Sequence, residues 1–146
     1  MSSFKITGRV EAWYYRQGYR WAYCSGSNLV MAVGKNLVAS IISSTSDRPS
    51  HMALGDDETA VDSAQTDLQG TELVRAAFDS NTVNGRILTL VKTFTNPGPG
   101  NWDVREAGIF NDPSAGTMFA RWLPSPNIFA SGDAVKISWH LDFGGE

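Results

Sequence analysis

The chain is poor in the residues that most chemistry requires. Its 146 residues include one cysteine, Cys24, and two histidines, His51 and His140. A lone cysteine excludes an internal disulfide and any cysteine-built zinc site within one chain. Charged residues make up only 18%, which is low for a globular domain. No apolar run approaches the roughly 20 residues needed to span a bilayer, and "MSSFKITGRVEAW" lacks the apolar centre of a signal peptide, so synthesis in the cytoplasm is expected. There is no G-x-S-x-G elbow, P-loop, G-x-G-x-x-G or H-E-x-x-H. No cofactor is expected, and an enzyme is the least expected class.

What is present points to β structure. Fourteen glycines and six prolines imply many turns, and the length suits one domain with a single core. The last segment, "AVKISWHLDF", alternates: Val135, Ile137, Trp139, Leu141 and Phe143 share one face, Lys136, Ser138, His140 and Asp142 the other. One face is therefore buried and one wet, as in an antiparallel sheet. "NGRILTLVKTF" opens on the turn signal Asn84-Gly85 and continues as a strand. "HMALG", "WDVREAGIF" and "TMFARWLP" read as further strands, with "NPGPGN" and "NDPSAG" as loops between them. "TELVRAAF" reads as a strand or a short helix. "GKNLVASIISS" is the best helix, over about 35–44, with Leu37, Val38, Ile41 and Ile42 in one stripe before the loop-like "SSTSDRPS". The expected fold is a mainly β antiparallel sandwich or jelly roll with one short helix.

The N-terminal 28 residues stand apart in composition. "EAWYYRQGYRWAYC" reads as two strands around Gln17-Gly18, with Trp13, Tyr14, Tyr15, Tyr19, Trp21 and Tyr23 on both faces. Residues 1–35 carry five basic groups against Glu11 alone, while residues 36–146 carry seven basic and fourteen acidic groups. The expectation is an aromatic, basic arm or hairpin over 1–28 attached to a sandwich body over 29–146. Trp13, Tyr14, Tyr15, Arg16, Tyr19, Arg20, Trp21 and Tyr23 are its candidate partner-contacting residues, because interfaces enrich Trp, Tyr and Arg. The same texture could stack nucleic-acid bases, but the acidic chain has too few basic groups for a long phosphate track. No nucleic-acid partner and no membrane contact are expected.

The other conspicuous stretch is acidic: "ALGDDETAVDSAQTDLQGTELVR", Ala53–Arg75. A calcium loop needs ligands at positions 1, 3 and 5, glycine at 6 and glutamate at 12. Starts at Asp56, Asp57 and Asp62 all fail, so a solvated loop is the reading and no metal is expected. Asp103, Glu106 and Asp133 are conceivable catalytic acids, but nothing in their spacing singles them out. Alternation in "WDVREAGIF" sets Glu106 on an apolar face with Trp102, Val104 and Phe110, where an acid needs a partner. A structural ion pair with Arg75 or Arg121 is expected.

Taken in order, Ala53-Leu54-Gly55, Asp67-Leu68, Glu72, Arg75, Glu106-Ala107-Gly108-Ile109-Phe110, Gly116-Thr117-Met118 and Ser131-Gly132-Asp133 resemble a family of small bacteriophage virion structural domains. The likeness runs from about Leu29 to Phe143 and omits the hairpin; the loop "DDETAVDS" is more acidic than the family's small-residue version. It implies a virion protein made in the host bacterial cytoplasm, with no catalytic residues. A capsid cement (decoration) protein is expected first, a homotrimer seated on the major capsid protein. A tail, baseplate or fibre-attachment component comes second. A carbohydrate-binding module using Trp102 and Trp122 comes third.

Overall fold

The fold is built of antiparallel strands, a few joined by tight turns, as at Gln17-Gly18 and Gly85-Arg86, and most paired with partners far away in the sequence. The computed structural model describes residues 5–43 and 48–144, without the side chains at 39, 40, 42 and 43. The elements are β1 (Thr7–Arg16), β2 (Tyr19–Val30), α1 (Ala32–Ser43), β3 (His51–Gly55), β4 (Glu72–Ala77), β5 (Ser80–Asn84), β6 (Ile87–Thr95), β7 (Trp102–Val104), β8 (Glu106–Phe110), β9 (Met118–Trp122), β10 (Asn127–Phe129) and β11 (Ala134–Asp142). Nine strands form one antiparallel sheet in the order β4-β3-β8-β9-β2-β1-β11-β6-β5, and β7 pairs with β10 beside it.

The sheet curls because two segments serve both of its halves. β2 pairs with β1 from Tyr19 to Asn28, and then Leu29 and Val30 pair with Arg121 and Ala120 of β9. At the opposite margin only Phe78 and Asp79 separate β4 from β5, the two edge strands. One leaf is thus β2-β1-β11-β6-β5 and the other β4-β3-β8-β9 with the end of β2. Their inner faces meet, as Trp122 of β9 and Trp139 of β11 show, edge-on with ring centroids 6.4 Å apart. This is the mainly β, sandwich-like architecture with one helix that the alternation predicts.

The final strand behaves as its pattern demands. Val135, Ile137, Trp139 and Leu141 are buried and enter the same core as Val10, Ala12 and Tyr14 of β1. Register explains this, since Val10 lies opposite Trp139, Ala12 opposite Ile137 and Tyr14 opposite Val135. The hairpin is therefore not an arm outside the body. β1 is an interior strand, hydrogen-bonded on both sides, and the division at residue 28 falls inside β2. Compositional contrast misled there, because one face of the hairpin is core and only the other carries its polar and aromatic surplus.

Three further elements differ from the sequence reading. α1 begins at Ala32 rather than near 35. Gly34 sits in the first turn, where a side chain has no room: a Cβ there would lie 2.3 Å from the Phe119 carbonyl oxygen. Leu37 is buried while Val38 and Ile41 are partly buried against the core; the Ile42 side chain and residues 44–47 of "SSTSDRPS" lie outside what is described. "TELVRAAF" resolves as strand β4. β5 was not foreseen, because all five of its side chains are exposed and no apolar periodicity marks it.

Trp139 is fully buried, and its indole N–H has no hydrogen-bond partner among the described residues. Trp139→Ala is expected to cost about 3–5 kcal/mol by urea denaturation, as other large aromatic truncations do. Trp139→Phe should cost clearly less, since it keeps much of the ring and removes the unpaired donor.

Candidate functional site

Two features carry the polar chemistry of the chain: a buried ion pair beneath the acidic loop, and the outward face and tip of the hairpin. In the second leaf, Gly55 lies opposite Glu106 and Gly108 opposite Arg121. Glu106 and Arg121 therefore project on the face away from the main core. Arg121 Nε and Nη2 each reach Glu106 Oε2 at 2.8 Å, and both side chains are fully buried. Such a pair is stable only when its remaining lone pairs and protons are also satisfied, and the loop between β3 and β4 does this. Gln69 and Gly70 donate their backbone N–H groups to the Glu106 carboxylate at 2.9 and 2.8 Å. Arg121 Nη1 donates to the Thr59 carbonyl at 2.7 Å and to Gln65 Oε1 at 3.2 Å, and Nη2 to the Asp57 carbonyl at 3.3 Å. Gly55 makes room, since a Cβ there would lie 2.4 Å from Glu106 Oε1.

The expected ion pair thus forms with Arg121, not with Arg75. Arg75 pairs with Glu72, donates to the Asp112 and Ala115 carbonyls, and lies with its guanidinium carbon 3.7 Å from the Phe110 ring centroid. Glu106 shares its face with Gly108 and Phe110, under the loop, whereas Ala107 and Ile109 face the main core. Leu68, from the loop, completes a second small core with Met31, Ala53, Phe110 and Met118.

The loop's carboxylates mostly serve the loop itself. Asp56 accepts from the Thr71 N–H, Asp57 from Thr59, Asp62 from Ala64 and Asp67 from Leu68. Glu58 pairs with Arg105 at 2.9 Å. The hydroxyl and N–H of Thr59 hold the Asp57 carboxyl below its usual range. Among the described residues no group of three or more His, Cys, Asp and Glu side chains is arranged to hold a metal ion. The three acids weighed for catalysis each have their own arginine: Asp103 pairs with Arg105, Glu106 with Arg121 and Asp133 with Arg16. His51 contacts Ser50 Oγ, and His140 lies among Glu11, Thr89 and Ser138.

The structure divides the eight aromatic and basic hairpin residues. Tyr14 is core, 1% exposed, edge-on to Phe129 and within 3.3 Å of Cys24 Sγ. It is not a contact residue; burial, reinforced by Cys24, pushes its phenol far above the ordinary value. Arg16 turns back on its own chain. Its Nε lies 3.2 Å from both Asp133 oxygens, its Nη2 3.0 Å from Oδ2, and its guanidinium 4.4 Å from the Trp21 ring centroid. Those bonds from Arg16, with the Ala130 N–H, outweigh burial and hold the Asp133 carboxyl below its usual range. Trp13 and Tyr15 are half-buried; Trp13 packs tilted against Tyr23, ring centroids 5.6 Å apart, beside the Lys136 ammonium. Tyr23 also donates to Glu11, which is the main reason that carboxyl is lowered. Tyr19, Trp21 and Tyr23 are 80, 39 and 48% exposed, and Arg20 is exposed. Gln17 and Gly18, both at positive φ, turn the chain at the tip. Of the two tryptophans named for sugar stacking, Trp122 is 3% exposed and belongs to the core, and Trp102 is half-buried.

Sequence reasoning missed Asp57, Thr59, Gln65, Gln69 and Gly70 as partners of the ion pair. Four of the five act through backbone groups, which carry no residue signature.

The fold and these features define a mainly β protein with a curled antiparallel sheet, a clamped acidic loop and an aromatic hairpin. Comparison of the chain with family models, curated proteins and solved structures finds no match in any of the three.

Arg121→Met should destabilise by about 3–5 kcal/mol in urea, because it leaves Glu106 buried without its countercharge. Adding Glu106→Gln should recover part of that loss, so the two effects will not add. Limited proteolysis should cut between residues 56 and 70 faster in Arg121→Met than in the parent. Asp133 makes a separate test by pH. Its folded carboxyl titrates below the unfolded value of about 3.9, so its stabilisation is complete above that pH and is lost as pH falls through the folded value. Asp133→Asn should be less stable than the parent at pH 7, and the gap should shrink in urea melts below about pH 4.

Proposed function

We propose that this chain is a structural protein of a bacteriophage virion, acting as a cement that decorates and stabilises the major capsid lattice. The observation that carries the reading is the hairpin: Tyr19, Trp21 and Tyr23 stand exposed with Arg20 on β2, which is tied into the sheet through β1. Exposed aromatic and arginine side chains on a rigid support suit the anchors of a protein–protein interface, where few residues carry most of the energy. The motifs that resemble the virion family support the same reading from another side. Gly55, Leu68, Glu106 and Gly108 build or fit the loop clamp and its small core. A scaffold braced in this way would hold its contact surface without needing moving parts. The homotrimeric state belongs to this proposal.

Purified protein added to expanded, undecorated phage heads should bind stoichiometrically and raise their resistance to heat, with no binding to free tails. Tyr19→Ala should weaken head binding by at least about tenfold, the usual mark of an anchor residue, without lowering the urea midpoint of the free protein; Trp21→Ala should weaken binding likewise but also lower the midpoint, because Trp21 packs on Arg16 and Tyr14. Decoration confined to tails would replace the cement role with the tail or baseplate one.

A further inference from the structure

A cavity of about 200 Å³ beside α1 has apolar walls. Val38 and Ile41 of α1, Leu88 of β6, Phe119 of β9, Leu141 of β11 and Phe143 just beyond it supply them. Phe119 and Leu141 are buried in the main core, whereas Val38, Ile41, Leu88 and Phe143 are only partly buried. The cavity therefore leads from the surface into the flank of that core. Such a space gives water few hydrogen-bond partners and favours apolar groups instead.

A second cavity, of about 350 Å³, adjoins the first. Val38 lines both, and Lys5, Ile6, Thr7 and Lys35 complete the second. Lys35, Val38 and Ile41 follow at three-residue steps, so consecutive members are neighbours on the helix surface. Lys5 and Lys35 are exposed, and no acidic side chain among the described residues lines this cavity with them. An apolar pocket thus opens beside a mouth that carries two ammonium groups.

We infer that the joined cavities bind a single-chain alkyl carboxylate, its tail in the apolar pocket and its carboxylate between Lys5 and Lys35. Small-molecule sites are mostly apolar, with a few polar groups that fix orientation, and the two cavities divide in that way. A bare alkane would leave the lysines unanswered, and a small anion would leave the pocket unfilled. From Lys35 to Ile41 the helix rises about 9 Å, a span that an extended alkyl chain covers with about eight carbons. Octanoate and decanoate match that length. Arg48 and Pro49 also line the apolar pocket. Arg48 is the poorer seat for the carboxylate, because it also borders an open groove that holds the acidic Asp79. The site shares no residue with the hairpin anchors and needs no capsid, so it stands or falls apart from the proposed function.

Isothermal titration calorimetry of the whole chain with sodium decanoate should show one saturable site. Shortening octanoate to hexanoate should weaken binding about fourfold for each methylene lost, while lengthening beyond decanoate should add little. Lys35→Glu should weaken octanoate at least about fivefold by charge repulsion at the mouth. It should leave octanol, which has the same tail and no charge, unaffected. Val38→Phe should fill the pocket and abolish binding of both, with circular dichroism unchanged. Decanoate that fails to saturate by about 5 mM, the weakest affinity expected for this many ligand atoms, would overturn the site. Affinity that ignores chain length, or an equal loss of octanoate and octanol in Lys35→Glu, would do the same. Adsorption to phosphatidylglycerol vesicles without saturable binding of free decanoate would replace the pocket with a surface contact.

Discussion

A carboxylate and a guanidinium buried together between a sheet and a loop impose the strictest constraint on this chain. Water cannot reach Glu106 or Arg121, so every remaining hydrogen-bonding position on them must be met by protein. The sheet supplies each to the other and little more. The rest comes from Asp57, Thr59, Gln65, Gln69 and Gly70, spread along the connection between β3 and β4. The loop must therefore lie flat across the second leaf. Once it does, Leu68 closes the small core over Ala53, Phe110 and Met118. Gly55 must remain without a side chain because the Glu106 carboxylate occupies its space.

The two leaves consequently solve different problems on their outer faces. The second leaf is covered by its own loop and can bury apolar side chains on both sides, as the fully buried runs of β8 and β9 show. The outer face of the first leaf meets solvent. There β1, β2 and β11 present Trp13 packed against Tyr23, Arg9 paired with Glu11, and His140 among hydroxyl and carboxylate groups. The tip of the hairpin is steadied by Arg16, which joins Asp133 near the start of β11 to the face of Trp21. An exposed aromatic cluster held this way loses little side-chain entropy when something binds it, which suits a docking surface.

Much of the fold was legible wherever burial is one-sided. β11 alternates because one face is core and the other is wet, and Gln17-Gly18 marked its turn through backbone conformation; Asn84-Gly85 fell one residue short, since Asn84 closes β5 and the turn is Gly85-Arg86. Legibility failed where burial is two-sided or absent. Alternation set Glu106 with Phe110, as the sheet does, but also with Trp102 and Val104, which belong to β7 and pair with β10; β8, buried throughout, gave no sign of that break. β5 is exposed throughout and shows no pattern at all. The hairpin looked like an appendage because its aromatics fall on both faces; Tyr14 and Trp13 differ only in which side of β1 they occupy, yet one is core and the other half-exposed.

The order of residues alone determined a single mainly β domain with one helix, the demand that Glu106 find an arginine, and the failure of the acidic stretch as a calcium loop. Those conclusions rest on local rules: side-chain period, turn conformation, and the cost of an unpaired buried charge. Tertiary structure decided which arginine answers Glu106, that the acidic loop folds back as a clamp, that the hairpin lies within the sheet, and that β5 is left at its edge. These depend on which strands become neighbours, and so on contacts between residues as far apart as Asp57 and Arg121 or Arg16 and Asp133. No local pattern encodes such distances, because backbone carbonyls and N–H groups supply many of the contacts and are the same at nearly every position.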